Sequence, residues 1–460
     1  MSTEPPLSLA ALCQYLAIVE SVEQSQIVTR LLLLVVSPDV ENWSRRVYMN
    51  GTWRERTDLT QSTRRYWCEE EKFMRIHSYL CALIVPLLAA CGSSSEGSNE
   101  TVGAAAQDLE TPPSRQFKHI FLIMMENHAT NEIIGNTADA PYINQLASHA
   151  AVAMNYFGVT HPSLPNYLAA FSGSFQGIWD DCKAGASVTC APEEFIPGSG
   201  DGTDGNYLTP VEITSATAKP HWFTGRNLVD QLERKRLSWR AYMQSMPESD
   251  KTVEYAPTDP ATGSPIKLYA QKHNPFMYFS DIRDNPTRMN NIVSTGSLEH
   301  DLESNHVPNF VWISPDQCHD MHGVSPSSAA TLGIPSCGYP DSGLDHGAIA
   351  LGDAFLKDTI GKIMHSPAWQ EGSAIVVAWD EDDYAGFAGC CESPRGESGV
   401  VLGGANAPAL VVTSHAGHAL KTNVPFNHYS LLATIQHLWN LGCLGESCEI
   451  PRSGLMTELF

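Results

Sequence analysis

Basic residues are scarce in this 460-residue chain, which has 28 lysines and arginines against 51 aspartates and glutamates. The formal net charge of -23 makes the surface repel polyanions, so a nucleic-acid partner is disfavoured. No two cysteines have the two-residue spacing of common zinc clusters, and no internal repeat is present. The apolar run Tyr79–Ala90 is too short for a permanent membrane helix. These features describe an acidic chain long enough for one large or two medium cores.

Residues 74–91 contain the three parts of an export signal. Lys72 and Arg75 supply positive charge, the apolar run follows, and small residues precede Cys91. Leu88–Cys91 resembles the lipobox of bacterial lipoproteins, which implies that Cys91 is acylated after cleavage. We therefore expect an exported protein anchored to the bacterial cell envelope, with the membrane as a partner through lipidated Cys91. The alternative is that this segment is a buried helix of an ordinary domain.

The predicted export signal divides the chain. Residues 1–73 are interpreted as a mis-annotated or disordered extension if translation starts at Met74; the alternative is a genuine extension with an internal anchor. Residues 92–116 begin with a Gly/Ser-rich run and are predicted to be a flexible linker. Residues 117–460 are predicted to form the catalytic domain, in which 192–209 are expected to form a long surface loop.

Eight cysteines follow Cys91, and an even number in an oxidising compartment favours disulfides. The short spacings favour Cys182–Cys190 and Cys443–Cys448. Cys318–Cys337 is a further possible pair, and the neighbours Cys390 and Cys391 remain ambiguous.

Buried strands are predicted to alternate with helices along the domain. The apolar runs typical of strands are Ile120–Met125, Phe310–Ile313, Ala374–Trp379 and Ala409–Thr413. The helical patterns are Tyr142–Ala150, Gly225–Arg236, Ala348–Ile363 and Tyr429–Leu441. This alternation predicts an α/β fold with a mainly parallel sheet and helices on both faces.

Acidic and amide side chains directly follow two of these strands. The first strand continues into Glu126 and Asn127, and the third continues into Asp380 and Glu381. Ligands of parallel sheets bind beyond the carboxyl ends of strands, and a hard divalent cation prefers oxygen ligands. We therefore predict that these four residues bind one divalent cation, although each cluster taken alone would be interpreted as a solvated loop.

A hydroxyl-rich segment, Gly158–Tyr167, precedes a further apolar helical pattern. A hydroxyl at a helix N-terminus lies in a positive field that favours phosphate and stabilises an alkoxide, and a bound metal lowers its pKa further. Ser163 or Thr160 is thus a candidate nucleophile, and simple N-capping is the alternative role.

Five segments in consistent order resemble the motifs of the bacterial and fungal phosphoesterase family, whose members include acid phosphatases and phospholipases C of the alkaline phosphatase superfamily. The segments are His119–His128, Thr160–Asn166, Asn309–His322, Trp379–Asp383 and Asn427–Leu432. The resemblance spans roughly 118–441 and implies an alkaline-phosphatase-like fold.

The resemblance also implies roles for single residues. Glu126, Asn127, Asp380 and Glu381 match metal ligands, and Ser163 matches the nucleophile and a further ligand, with Thr160 as the alternative. The residues that match phosphate-contacting or proton-transferring side chains are Asp320, His322 and His428. Asp316 and His319 depart from the asparagines expected there. Ligands for a second metal would have to come from Asp316, His319, Asp320 and His322.

The expected activity is metal-dependent hydrolysis of a small-molecule or lipid phosphate ester. The first interpretation is an acid-phosphatase-like phosphomonoesterase that forms a phosphoserine or phosphothreonine intermediate. A phospholipase C acting on phospholipids is the alternative within enzymes. From a different class, the chain could be a non-catalytic lipoprotein that binds a ligand on a degenerate enzyme fold. A sulfatase is disfavoured because the sequence has no Cys/Ser-x-Pro-x-Arg motif.

Overall fold

The computed structural model describes residues 117–185, 220–304, 306–370, 372–383, 386–396, 399–415 and 419–460. The predicted signal at 74–91, Cys91, the linker at 92–116 and the loop at 192–209 lie outside these ranges. Within the described ranges, no helix combines the length and apolar composition needed to cross a membrane.

A nine-stranded mixed sheet organises the described part of the chain, and a separate two-stranded sheet accompanies it. The strands in chain order are β1 (His119–Met125), β2 (Ala151–Phe157), β3 (Trp239–Met243), β4 (Tyr255–Thr258), β5 (Pro265–Ala270), β6 (Ile292–Ser294), β7 (Phe310–Ser314), β8 (Ser373–Trp379), β9 (Asn406–Thr413), β10 (Leu420–Thr422) and β11 (Phe426–Asn427). The main sheet has the order β10-β2-β9-β8-β1-β7-β3-β6, β11 also pairs with β2, and β4 pairs with β5. Only β9 runs antiparallel to its neighbours within this sheet as described.

Helices occupy the connections between strands. They are α1 (Thr130–Ile133), α2 (Pro141–Ala147), α3 (Ser163–Ser172), α4 (Leu228–Arg234), α5 (Ser280–Arg283), α6 (Pro286–Met289), α7 (Gly296–Glu303), α8 (Pro326–Leu332), α9 (His346–His365), α10 (Pro367–Gln370) and α11 (His428–Leu438). The predicted α/β fold with a mainly parallel sheet is confirmed. All four predicted strands are present as β1, β7, β8 and β9, and the four predicted helices as α2, α4, α9 and α11, with slightly different ends.

The centre of the sheet is covered on both faces, which explains the continuous apolar runs of β1 and β8. On one face, Leu122 and Met124 of β1 belong to a core with residues of α3, α4 and α11. On the other face, Phe121 and Ile123 pack with residues of α2, α7 and α9. Full burial of each such side chain contributes about 1.5–3 kcal/mol. The central strands are therefore a firm base for the groups that follow them.

Three disulfides are present in the described part of the chain: Cys318–Cys337, Cys390–Cys391 and Cys443–Cys448. The predicted Cys443–Cys448 and the possible Cys318–Cys337 are thus confirmed, and the ambiguous neighbours are joined to each other. Cys182 is also disulfide-bonded, but Cys190, its predicted partner, lies outside the described residues.

Candidate active site

The carboxyl ends of β1 and β8 bring the first two acidic clusters together. The strands are parallel and in register up to the pair Met125 and Trp379, so the next residues, Glu126 and Asp380, start side by side. The backbone N–H of Asp380 donates to the carbonyl of Met125 at 3.0 Å. The N–H of Asn127 donates to Asp380 Oδ1 at 3.2 Å. The parallel register therefore brings the two strand ends together, as the sequence predicted.

Ser163 lies at the first position of α3 and faces these carboxylates. Its hydroxyl donates to Glu126 Oε2 at 2.8 Å and is 3.4 Å from Glu381 Oε1. The side chain is fully buried. Thr160, by contrast, is buried with its Oγ1 3.5 Å from the carbonyl of His161. Of the two candidate nucleophiles, Ser163 is the one in contact with the acidic cluster.

A buried network holds Glu381 and the segment before α3. Glu381 Oε2 is 2.7 Å from His161 Nδ1 and accepts from Asn166 Nδ2 at 3.2 Å. Asn166 Oδ1 accepts from the backbone N–H groups of Val159 and Thr160 at 2.7 and 3.1 Å. Because buried polar groups are costly when unpaired, these bonds fix both the carboxylate and the approach of the chain to Ser163.

Close backbone packing beneath the site requires two glycines. A Cβ atom at Gly158 would lie 2.7 Å from the carbonyl oxygen of Asp380 and 2.8 Å from Gly404 Cα. A Cβ at Gly404 would lie 2.5 Å from the carbonyl oxygen of Thr160. The chain before Ser163 and the chain after Asp380 can approach each other only because both positions lack a side chain.

The residues after β7 supply the third part of the site. The backbone N–H of Glu126 donates to the carbonyl of Asp320 at 2.8 Å, which ties this segment to the end of β1. The Asp320 side chain accepts from the N–H of His322 at 2.8 Å. Between Asp320 and Glu126 lies His273, whose ring nitrogens are 3.2 and 3.3 Å from the two carboxylates.

A lysine adjoins the serine hydroxyl. Lys272 Nζ is 3.2 Å from Ser163 Oγ, 2.9 Å from Asp181 Oδ2 and 3.5 Å from His322 Nε2. Asp181 in turn accepts from the N–H of Leu164 at 3.0 Å. The acidic cluster is thus accompanied by the ammonium group of Lys272 and by the buried histidines His161 and His273.

Burial and mutual repulsion decide the charges of the carboxylates. Burial raises the pKa of Asp380 well above its ordinary value, and the charges of Glu126 and Glu381 raise it further. The pKa of Glu381 is raised in the same way, by burial and by the charge of Glu126. Burial also acts to raise the pKa of Glu126, but His273 and Lys272 outweigh it, so that this carboxylate stays ionised. Ionisation of Asp380 and Glu381 beside the ionised Glu126 is therefore unfavourable in the protein alone, and a bound cation would favour it.

The groups after β7 are shifted as well. Burial raises the pKa of Asp320 to about 7, against the opposing effect of His273. Burial acts to lower the pKa of His273, but the charge of Glu126 and the bond to Asp320 raise it to about 9. Burial and the charge of Lys272 lower the pKa of His322 to about 3. At neutral pH His273 is thus a cation and His322 a neutral imidazole.

Two buried oxygen atoms at the centre of the cluster, Asn127 Oδ1 and Asp380 Oδ2, have no hydrogen-bond partner among the described residues. Glu126 Oε1 and Asp320 Oδ2 are paired only through the ionic contacts with His273. Buried unpaired acceptors are rare because each one costs free energy. Carboxylate and amide oxygens are the ligands of hard divalent cations. The residues present therefore fit a divalent cation at this position.

A second group of metal-ligand side chains, Asp180, Cys182 and His221, is buried close together. Asp180 Oδ2 and His221 Nδ1 also have no hydrogen-bond partner among the described residues. However, Cys182 is disulfide-bonded and so offers no thiolate, and His221 Nε2 contacts Asp180 Oδ1 directly. We interpret this group as a buried histidine–carboxylate contact beside a disulfide.

His428 lies beneath the site. Its Nδ1 contacts the hydroxyl of Tyr156 at 2.8 Å, and its Nε2 contacts the carbonyl oxygen of Asp380 at 2.6 Å. Burial lowers its pKa to about 4. Both ring nitrogens of His428 are engaged, and its Nε2 contact positions the backbone of Asp380. Its role in proton transfer stays a prediction.

The proposed ligands of a second metal are not all brought together. Asp316 Oδ1 is 2.6 Å from His319 Nδ1, and Asp316 Oδ2 accepts from Ser245 Oγ at 2.6 Å. No hydrogen bond or ion pair in the described part of the chain joins Asp316 or His319 to Ser163. Of the four residues considered for a second metal, only Asp320 and His322 reach the site.

Sequence reasoning missed five residues that contact the predicted ones: His161, Asn166, Asp181, Lys272 and His273. Lys272 and His273 lie in a short 3-10 turn, Gln271–His273, that directly follows β5. Neither residue follows a buried strand of the main sheet, so the strand-end rule could not find them. Two adjacent basic side chains at the start of an otherwise apolar segment are the only signal that the sequence offers.

The model of the family described as "Phosphoesterase family" matches residues 136–334 and 339–442. The chain belongs to the phosphoesterase family. The matched residues include Ser163, Asp320, His322, Asp380 and Glu381, while Glu126 and Asn127 precede the match.

Relatives of this phosphoesterase include fungal and bacterial proteins. A probable acid phosphatase of Kluyveromyces lactis is 24% identical over 356 residues, which are 76% of this chain and 64% of that protein. The phosphatidylinositol-3-phosphatase of Mycobacterium tuberculosis is 26% identical over 370 residues, which are 80% of this chain and 91% of that protein. An acid phosphatase of Aspergillus fumigatus is 22% identical over 374 residues, which are 80% of this chain and 66% of that protein. This chain therefore spans somewhat less than two thirds of the two fungal proteins.

Solved structures similar to this phosphoesterase include a protein of the alkaline phosphatase superfamily from Vibrio parahaemolyticus, at 12% identity and a TM-score of 0.39, covering 74% of this chain and 69% of that one. A phosphonate monoester hydrolase from Silicibacter pomeroyi is 14% identical with a TM-score of 0.34, covering 70% and 73%. These likenesses concern the backbone alone.

Proposed function

We propose that the chain is an acid-phosphatase-like hydrolase of phosphate monoesters that uses Ser163 as its nucleophile. The observation that carries this proposal is the buried hydroxyl of Ser163, placed 2.8 Å from Glu126 and 3.2 Å from Lys272 at the start of α3. Membership of the phosphoesterase family and the acid phosphatases among the relatives support the reaction class. Glu126, Asn127, Asp380, Glu381 and Ser163 would hold a divalent cation there.

The residues named above would have separate roles in the reaction. A cation bound by these ligands supplies a Lewis acid, which lowers the pKa of the serine hydroxyl. Ser163 Oγ forms a bond to phosphorus while the bond from phosphorus to the leaving oxygen breaks, and the electron pair stays with the leaving oxygen. Overall, the serine hydroxyl loses one proton and the leaving alcohol gains one. Water then hydrolyses the phosphoserine and releases inorganic phosphate.

His322 is the residue proposed to relay a proton toward the leaving oxygen. Its Nε2 is 3.5 Å from Lys272 Nζ, and its Nδ1 is 3.2 Å from the hydroxyl of Tyr339. The carbonyl oxygen of Gly323 accepts from Nδ1–H at 3.0 Å, so Nε2 is the nitrogen that would exchange the proton. General acid catalysis of this kind typically contributes about 10²–10⁴-fold.

The test compares two alanine variants in the same segment. Ser163→Ala removes the proposed nucleophile and should lower kcat for an aryl phosphate by at least about 10⁴-fold, as removal of a nucleophile does elsewhere. Thr160→Ala is the matched control, because it also removes a buried hydroxyl but one remote from the carboxylates, and it should keep most of the activity. Both variants should melt close to the wild type. An active Ser163→Ala variant, or an inactive Thr160→Ala variant that is folded, would contradict the proposal.

A lipid phosphate monoester is a second candidate substrate. One relative, of which this chain covers 91% of the length, is a phosphatidylinositol-3-phosphatase. Parallel assays with a soluble aryl phosphate, with phosphatidylinositol 3-phosphate in vesicles and with phosphatidylcholine vesicles separate the choices. Inorganic phosphate released from the second substrate favours the lipid monoester, and phosphocholine released from the third favours the phospholipase C alternative.

We propose further that the protein is exported and anchored through lipidated Cys91. The disulfides of the described domain support an oxidising compartment. A Cys91→Ser variant expressed in a bacterium should appear in the soluble fraction, whereas the wild type should remain with the membranes. Equal distribution of the two forms would contradict the anchor.

A further inference from the structure

We propose that Lys272 is a catalytic residue of this site, which binds the transferred phosphoryl group and stabilises the serine oxygen during its transfer. This inference rests on the proposed function and extends it to a residue that neither the strand-end rule nor the motifs single out. It starts from the position of one ammonium group, 3.2 Å from the hydroxyl oxygen of Ser163.

The ammonium group is held in place on all sides. A lysine has three N–H donors, and Nζ lies 2.9 Å from Asp181 Oδ2, 3.2 Å from Ser163 Oγ and 3.5 Å from His322 Nε2. The last contact is at the limit of hydrogen bonding, so one donor can turn to a phosphoryl oxygen. The Lys272 side chain is only 10% exposed. A long flexible side chain loses much rotamer entropy when it is held this way, so the arrangement is a defined one.

Asp181 links the lysine to the helix that carries the nucleophile. Its Oδ1 accepts from the N–H of Leu164 at 3.0 Å, and its Oδ2 accepts from Lys272 at 2.9 Å. The carboxylate therefore fixes Nζ relative to the first turn of α3, on which Ser163 lies. This bridge makes Asp181 a positioning residue for Lys272.

The charge of Lys272 is maintained in this environment. Lysine is ordinarily protonated at neutral pH, and the carboxylate oxygen Asp181 Oδ2 lies 2.9 Å from Nζ. The lysine therefore serves as a hydrogen-bond donor and positive charge, and not as a base. During transfer its protonation state stays constant, while the bond from Ser163 Oγ to phosphorus forms and the bond to the leaving oxygen breaks.

A fixed cation at this position acts where negative charge develops. The equatorial oxygens of the transferred phosphoryl group must lie within reach of the groups that surround Ser163 Oγ, because the new bond forms at that atom. A preorganised donor in a site that excludes water stabilises such charge strongly, and removal of one donor typically costs about 10²–10³-fold in kcat. The same group should bind the phosphate product.

The experiment uses the full-length protein loaded with its cation. Lys272→Met retains the length of the side chain without its charge, and we expect kcat for an aryl phosphate to fall about 10²–10³-fold. Inorganic phosphate, measured by calorimetry, should bind at least about tenfold more weakly, and this second measurement does not depend on turnover. The matched control is Lys251→Met, since Lys251 contacts Glu248 and the carbonyl of Ile292 away from this site; it should leave both values unchanged.

A double variant distinguishes a loss of catalysis from a failure to fold. Lys272→Met leaves Asp181 without its cation, so the double variant Lys272→Met with Asp181→Asn removes both charges and should restore the melting temperature while kcat stays low. Addition of methylammonium should restore part of the activity of a Lys272→Ala variant, which a purely structural role would not allow. If the folded single or double variant keeps kcat within threefold of the wild type and binds phosphate normally, Lys272 is not catalytic. If the wild type releases no phosphate at all, the proposed function fails, and the phosphate-binding measurement still decides the role of Lys272.

Discussion

Removal of the cation should destabilise the protein, and the effect should depend on Asp380. The described residues leave two buried oxygen atoms, Asn127 Oδ1 and Asp380 Oδ2, without hydrogen-bond partners at the proposed site, and the carboxylates there repel each other. A bound divalent cation offsets this repulsion only in the folded state. We therefore expect a chelator to lower the melting temperature, and the Asp380→Asn variant to lose most of this response.

The size of the shift follows from linkage. A cation present at one hundred times its Kd stabilises the folded state by about 2.7 kcal/mol. For a domain of about 340 residues, with an unfolding entropy of about 2.1 cal/mol/K per residue, one kcal/mol shifts the melting temperature by about 1–2 °C, so chelation should lower it by about 3–5 °C. Asp380→Asn removes one ligand and one negative charge. In chelator, this variant should be at least as stable as the wild type, because Glu126 and Glu381 then lose a repelling neighbour.

The assay is a thermal melt of both proteins in chelator and in separate solutions of magnesium, calcium, manganese and zinc. Asp353→Asn is the control: Asp353 is a carboxylate outside the site that accepts from the N–H groups of Tyr142 and Ile143 at 3.1 and 2.7 Å. This control should lower the melting temperature equally with and without cation. A wild-type melt that does not respond to chelator or to any of the four cations would refute the assignment of these residues as ligands.

Two further predictions concern packing and charge. Gly158→Ala should destabilise the protein by about 1–3 kcal/mol, as overpacking does, and should lower activity. The control is Gly361→Ala in α9, where a Cβ meets nothing within 4 Å, and it should be neutral or slightly stabilising. Equal urea midpoints for the two variants would contradict the close packing at Gly158. Burial acts to raise the pKa of Asp301, but the hydrogen bonds from Tyr242 and Arg240 outweigh it and lower the pKa. This stabilisation is therefore present above the ordinary aspartate pKa of about 3.9 and is lost as the pH falls through the lowered value. Asp301→Asn should cost about 1–3 kcal/mol at pH 7, and urea unfolding at pH 7 and 3.5 should show a smaller difference from the wild type at the lower pH.

The strands that could be predicted from sequence are those in which consecutive residues are all buried and therefore apolar. β1 and β8 are buried along their whole length, so each appears as an unbroken apolar run. β2 is only partly buried and contains Asn155, and β6 and β10 have three residues each, too few for a periodic pattern. The antiparallel sense of β9 has no local signal, because strand direction depends on the path of the connections.

The acidic half of the site could be predicted because it depends on two local facts. Glu126 and Asp380 each follow a buried strand, and neighbouring parallel strands end at the same edge of a sheet. The order of apolar and acidic residues was enough to place them together. Likewise, Ser163 could be singled out as a hydroxyl at the start of a helix, although only its contacts separate it from Thr160.

The basic half of the site was decided by tertiary structure alone. Lys272 and His273 come from a short turn after β5, more than a hundred residues from both Glu126 and Asp380 in sequence, and their partners are defined by distance through space. Whether a buried charge is balanced depends on which side chains the packed fold brings within a few ångströms. The amino-acid sequence thus determined where the carboxylates lie, and the tertiary structure determined which cationic side chains contact them.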